Sequence, residues 1–164
     1  MIPKKLKDFT GFLDGLSYLG KAKEITLPKL TEKTEEYRPG GFDAPIEIAM
    51  GMEKLETSVN WEEYDKALIK LFGQAGKAIV WRGSIEADDG STEAVIVTMR
   101  GRSKELDFGN WKAGDDTSLK QTFPLTYYKY EQGGETLIEI DAENSVRIVG
   151  GVDQLAERRR NLGI

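Results

Sequence analysis

The chain contains neither cysteine nor histidine. The first absence excludes a disulfide scaffold and thiolate chemistry. The second removes the commonest general base together with the commonest metal ligand. A Ser–His–Asp triad or a zinc site of the usual kind has no residues to be built from. Positive charge is in deficit, with 23 Lys and Arg against 28 Asp and Glu and a net charge of −5. That balance argues against a dedicated polyanion binder. No apolar run approaches the ~18 residues of a membrane-crossing helix. The opening MIPKKLKDF also lacks the apolar stretch of a signal peptide. These features predict assembly in the cytoplasm and no membrane insertion by the chain itself. Proline is scarce, and two of the five, Pro39 and Pro45, bracket a single loop.

What is present begins with that loop. The 164 residues, 39% of them apolar, predict one domain, 1–164, with a core of its own. Residues 25–59 predict a long hairpin, with extended arms at 27–38 and 46–59 and the tip Pro39-Gly40-Gly41-Phe42-Asp43-Ala44-Pro45. In the second arm Ile46, Ile48, Met50 and Met52 alternate with Glu47, Ala49, Gly51 and Glu53, which predicts one face on a core and one in water. The first arm, TEKTEEYR, carries charge on both faces. A hairpin with this much edge needs a partner chain, and another copy of itself is the natural one.

The remaining pattern is mainly β. Residues 1–8 form a basic arm expected to be extended and held from outside the domain. Asp14-Gly15 between apolar residues predicts a tight hairpin turn. Residues 60–72 predict a helix capped by Asn60 with Glu63 three positions on, burying a stripe of Trp61, Tyr64, Leu68, Leu71 and Phe72. Strands are expected at 78–86, 92–100, 117–131, 136–141 and 145–149. In the third of these Phe123, Leu125 and Tyr127 share a face, and Pro124 calls for an edge position or a bulge. A short helix at 152–162 closes on Gly163. The expected fold is a β-sandwich or barrel protomer of eight or nine strands with one packed helix.

No constellation carries catalysis. The pairs Glu35/Glu36 and Asp115/Asp116 read as solvated turns or strand faces. Asp88-Asp89-Gly90 lacks the ligand ladder of a calcium loop and reads as a turn. Gly40-Gly41 and Gly150-Gly151 are not followed by the Lys-Ser/Thr of a phosphate loop. Arg158-Arg159-Arg160, beside Glu157 and Asp153, reads as intersubunit pairing or a solvated face. No cofactor, metal or catalytic residue is expected.

Eight segments resemble, in order and spacing, the major tail tube protein of contractile-tailed phages and R-type bacteriocins. They are TLPKL at 26–30, K-x-E-x-Y-R at 33–38, GGFDAP at 40–45, RGRSKELD at 100–107, NWKAG at 110–114, YYK at 127–129, IEID at 138–141 and GVDQLAERR at 151–159. The resemblance implies six-membered rings stacked into a hollow tube inside a contractile sheath, with no enzymatic activity. It implies that the long hairpins of neighbours close a barrel, and that the partners are the chain itself, the tail sheath, the baseplate and tail-terminator proteins, and a tape-measure protein in the lumen. DNA would be transiting cargo in a virion tail, and ions would follow membrane puncture in a bacteriocin particle. Under this reading Arg38, Gly40, Gly41, Phe42, Asp43, Ala44 and Pro45 form a ring-stacking loop, loose in the free protomer and docking through Phe42 with Arg38 and Asp43 as polar flankers. Glu47 and Glu53 line the channel, and acidic copies at −5 each repel a sliding polyanion from the wall. A small β-sandwich binding module, for a glycan or a partner peptide, is the competing reading.

Overall fold

Apolar side chains at every second position organise most of the chain into strands. The computed structural model describes residues 2–18 and 21–164; Met1 of the N-terminal arm, and Leu19 and Gly20 before the long hairpin, lie outside the described residues. In chain order the elements are β1 (Lys5–Leu13), β2 (Leu16–Ser17), β3 (Ala22–Thr26), β4 (Glu32–Tyr37), β5 (Ile46–Met52), β6 (Leu55–Trp61), α1 (Lys66–Ile69), β7 (Lys77–Glu86), β8 (Thr92–Gly101) and β9 (Glu105–Asp107). Then follow β10 (Leu119–Gln132), β11 (Glu135–Asp141), β12 (Val146–Val149), β13 (Val152–Asp153) and α2 (Ala156–Leu162). Eleven strands join one antiparallel sheet, while β4 and β5 pair only with each other. The fold is mainly β with two short helices, as expected, though with more strands than the eight or nine read from the pattern. The described residues close no barrel within one chain.

The longest strand, β10, changes partners along its length. Its first half pairs with β6 and β9, and its second half with β8 and β11. The exchange falls at Leu125, directly after Pro124, which has no N–H to give a ladder. There the β8 register slips between Leu125 and Tyr127. The expected bulge is therefore present, but the edge position is not, since β10 is flanked on both sides. The slip also reverses the alternation. Leu119, Gln121, Phe123 and Leu125 face inward, and beyond the bulge it is Tyr128, not Tyr127, that is buried. Gly101 lies against the Pro124 carbonyl so closely that a Cβ would overlap it.

The two wings meet across an aromatic core. Trp61 of β6 and Trp81 of β7 lie 6.0 Å apart, Tyr18 packs 5.3 Å from Trp61, and Phe9 meets Trp81 edge-on at 5.9 Å. One polar side chain sits at its centre. Gln121 is fully buried, accepts from Trp61 Nε1 at 3.2 Å, and donates to the Leu68 carbonyl at 3.2 Å and to Ser103 Oγ at 2.8 Å. All three bonds are made inside, which is the condition for burying an amide at little cost.

Two sequence expectations are corrected. The arm at 1–8 is held by the domain itself from Lys5 onward: Lys5, Leu6 and Asp8 pair with Glu86, Ile85 and Ser84 of β7. The helix at 60–72 shrinks to α1. Leu55, Thr57, Val59 and Trp61 alternate into the core as strand residues, and Asn60 pairs with Lys120 instead of capping. Asp65 is the actual cap; its Oδ1 accepts from Ala67 N at 2.8 Å, and its Oδ2 takes Lys21 Nζ at 3.1 Å. Of the expected stripe, Trp61 and Leu68 are buried, whereas Phe72 is exposed. The period-two reading of 55–61 wins because it engages two neighbouring strands, β10 and β3.

At the other end, α2 stops at Gly163 as expected. It is tied back by Arg159, which donates to the Ser145 carbonyl at 2.9 Å and pairs with Asp153. The hydrogen bond from Arg159 holds the Asp153 carboxyl below its ordinary value. A depressed folded pKa contributes stability that is present above the ordinary value of 3.8 and is lost as pH falls through the folded value. Protection of the α2 amides, relative to their intrinsic exchange rates, should fall as pH drops below that ordinary value, and Asp153→Asn should abolish the pH step. In the core, Leu68→Ala should cost about 2–5 kcal/mol by opening a cavity beside Gln121, read as a lowered denaturation midpoint with an unchanged slope.

Candidate assembly surfaces

The hairpin β4–β5 is the part of the chain that the fold leaves unfinished. Register places Glu36 opposite Glu47, Thr34 opposite Ala49, Glu35 opposite Ile48 and Tyr37 opposite Ile46. Directly opposed residues share a face. One face therefore carries Tyr37, Ile46 and Ile48 together with Glu35, and the other carries Glu36 and Glu47 with Thr34 and Ala49. Every residue of β4 is exposed, and so are Ile46, Ile48 and Met50, at 46%, 42% and 52%. The expectation that these three lie on the core is overturned; Met52 at the hairpin root is the one member of that row that packs against the core.

A bulge explains part of this difference. Between Ala49 and Met52 the second strand carries one residue more than its partner, so the phase reverses at Met50 and Gly51. Glu47 stays on the acidic face with Glu36. Glu53 lies past the bulge at the root, where its N–H donates to the Thr31 carbonyl at 2.9 Å, and simple alternation no longer puts it beside Glu47. Both glutamates are exposed.

The tip is folded on itself rather than loose. Phe42 N donates to the Pro39 carbonyl at 3.2 Å, closing a turn across Gly40 and Gly41, and Gly41 takes φ 93°, which a side chain would resist. Arg38 Nε donates back to the Phe42 carbonyl at 3.2 Å. The Phe42 ring meets Tyr37 edge-on at 6.4 Å and remains 43% exposed. Phe42, Tyr37, Ile46 and Ile48 thus make a continuous apolar strip from the tip down one face. Asp43, Ala44 and Pro45 complete the loop, all exposed.

A second exposed aromatic group was not picked out from the sequence. Beside α1, Trp111 is 80% exposed yet stacks on Tyr64 at 6.1 Å, and its indole N–H donates to the Tyr64 hydroxyl at 2.8 Å. That hydroxyl donates in turn to the Phe108 carbonyl at 2.7 Å. The loop is fastened by Asp116, which pairs with Lys23 at 3.2 Å and whose carboxyl is held down by that hydrogen bond. Among the described residues no group of acidic side chains is placed to hold a metal ion.

Such a chain, with a self-contained core and a projecting hairpin unsatisfied on both faces, belongs to the class of structural proteins completed by assembly. Comparison with known proteins agrees. The chain belongs to the phage tail tube protein FII family, whose model matches residues 3–163. It is 41% identical to the tail tube protein of Escherichia phage P2, over 99% of both chains. It is 36% identical to the major tail tube protein of Serratia phage KSP20, covering 88% of this chain and 86% of that one. Its fold also matches a chain in the sheath–tube complex of an extracellular contractile injection system, with a TM-score of 0.59 at 13% identity over 79% of this chain and 91% of that one. The protein is a tail tube structural component and not an enzyme.

If the tip is an assembly contact, Phe42→Ser and Asp43→Lys should leave the denaturation midpoint within about 0.5 kcal/mol of the parent. Both should prevent growth of long particles, as followed by light scattering.

Proposed function

We propose that six copies close into a ring and that rings stack into the hollow inner tube of a contractile tail. The observation that carries this reading is the hairpin β4–β5, which pairs with no other strand among the described residues and exposes an apolar and an acidic face at once. Placed side by side, six hairpins would satisfy one another's edges and close a barrel that no single chain can close. The apolar strip then turns toward neighbouring protein, and Glu36 and Glu47 line the channel. Glu53 marks the channel wall nearer the protomer body. Membership of a tail tube family and the fold match to a chain from a sheath–tube complex support the same assignment.

In that tube the partners are further copies, the surrounding sheath, the baseplate and terminator at the two ends, and a tape-measure protein in the lumen. DNA passes as cargo where the particle is a virion tail, and ions pass where it is a headless bacteriocin. An acidic wall lets a polyanion slide because it offers no counter-charge to release. The loop from Arg38 to Pro45 meets the adjacent ring.

Negative-stain microscopy at rising protein concentration tests the assembly, with rings and hollow rods expected and a permanent monomer contradicting it. Glu36→Lys combined with Glu47→Lys should leave tubes intact but slow DNA delivery, read as a loss of plaque-forming titre at unchanged particle number.

A further inference from the structure

The proposed stacking contact needs a receptor as well as a tip. One lies between β3 and the face formed by β1, β7 and β8. Phe9, Ile25, Leu27, Trp81 and Val97 line an apolar cleft of about 230 Å³, with Leu6 at its mouth. That volume is below the range of about 300–1,000 Å³ usual for small-molecule sites, and it suits one large side chain. Leu6 is 58% exposed although it lies over Gly83 at the cleft. Trp81, almost fully buried, forms the floor of this slot.

The geometry points to Phe42 of a second copy, in the adjacent ring, as the occupant of this cleft. The inference rests on the tube reading and names the receptor that reading requires. Charge complementarity selects the tip. The cleft carries exposed Glu24 and Arg82, and neither forms a salt bridge among the described residues. The tip carries Arg38 and Asp43 on either side of Phe42, likewise without salt bridges among the described residues. A phenyl ring entering the slot brings one cation and one anion to an anion and a cation. Tip and cleft are also different surfaces of one protomer. Their contact is therefore head-to-tail, the type that propagates along an axis instead of closing a pair.

The cysteine-free chain makes the test direct. Ala44→Cys and Leu6→Cys, both at exposed positions, are combined in the full-length protein, assembled, and treated with a short bis-maleimide. A ladder of covalent multimers that disappears in either single variant is the expected result. Tubes that assemble but give no ladder overturn the cleft as receptor and leave the tube reading standing. Failure of the parent protein to form rings or rods under the same conditions overturns the tube reading, and this inference with it. Should the cysteine pair itself block assembly, a charge exchange decides. Asp43→Arg should reduce tube yield at least tenfold, and adding Arg82→Asp should restore it. A double variant as defective as the single one overturns the contact.

Discussion

Pro124 imposes a constraint on which the rest of the architecture depends. Pro124 has no N–H to give a ladder, and although β6 runs alongside it as far as Leu125, the ladders on β10 change just beyond it. Up to Leu125 the strand is flanked by β6, with β9 at residues 120–122; β8 takes over from Leu125, with a slip before Tyr127, and β11 joins from Tyr127. The switch divides one sheet into two wings that can fold face to face, bringing Trp61 and Trp81 together. Gly101 is needed at the same place because the β8 backbone ends against the Pro124 carbonyl. Gln121, three residues earlier, then ties β10 to β6 through Trp61, to α1 through the Leu68 carbonyl, and to the segment after β8 through Ser103. The body of the protomer is settled by these contacts without help from the hairpin.

The hairpin is shaped by the opposite circumstance. Glu36 directly faces Glu47, a like-charge pair that weakens a hairpin on its own. Among the described residues no strand of the body flanks it, and its apolar strip is in water. Its tip nevertheless holds a defined form through the Arg38 clasp and the Tyr37–Phe42 contact. A pre-folded tip loses less conformational freedom on docking than a loose one would. The order absent from the hairpin's two faces is thus concentrated where the proposed stacking contact would use it.

Much of this was legible in the sequence, and the failures have a common cause. Asp14-Gly15 gives its turn, Gly163 ends α2, and the strands around β7, β8 and β11 fall within a residue or two of their expected limits. These signals are local. The misread segments are those where two periodicities compete. Trp61, Tyr64, Leu68 and Leu71 fit a helix, yet Leu55, Thr57, Val59 and Trp61 fit a strand, and only the presence of β3 and β10 on either side decides between them. Bulges limit the rest: alternation carried through Pro124 misplaces Tyr127, and past Met50 and Gly51 alternation no longer fixes the face of Glu53. The exposed strip on β5 was read as a core face because a pattern of apolar residues says that a face is covered, not by which chain. The Trp111 shelf is held by hydrogen bonds between residues 47 and 44 positions apart, and no local pattern signals it.

The strength of a single tip contact explains why rings, not protomers, would be the units that stack. Burying one Phe is worth about 1.5–3 kcal/mol. Even a millimolar complex requires about 4.1 kcal/mol net, after the loss of overall motion has been met. On the proposed contact, one tip in one cleft would hold no partner at ordinary concentrations, and stray protomers would stay dispersed. Were lateral pairing of hairpins to close a ring, six such contacts would act on a single rigid body that loses its overall motion only once. Their sum, roughly 9–18 kcal/mol before strain, crosses the threshold that one contact misses. The same arithmetic makes addition to an existing ring end far more favourable than meeting of free protomers. A tube built this way grows from whatever presents the first complete circle of clefts or tips, and its starting point is set by that template instead of by the concentration of the chain.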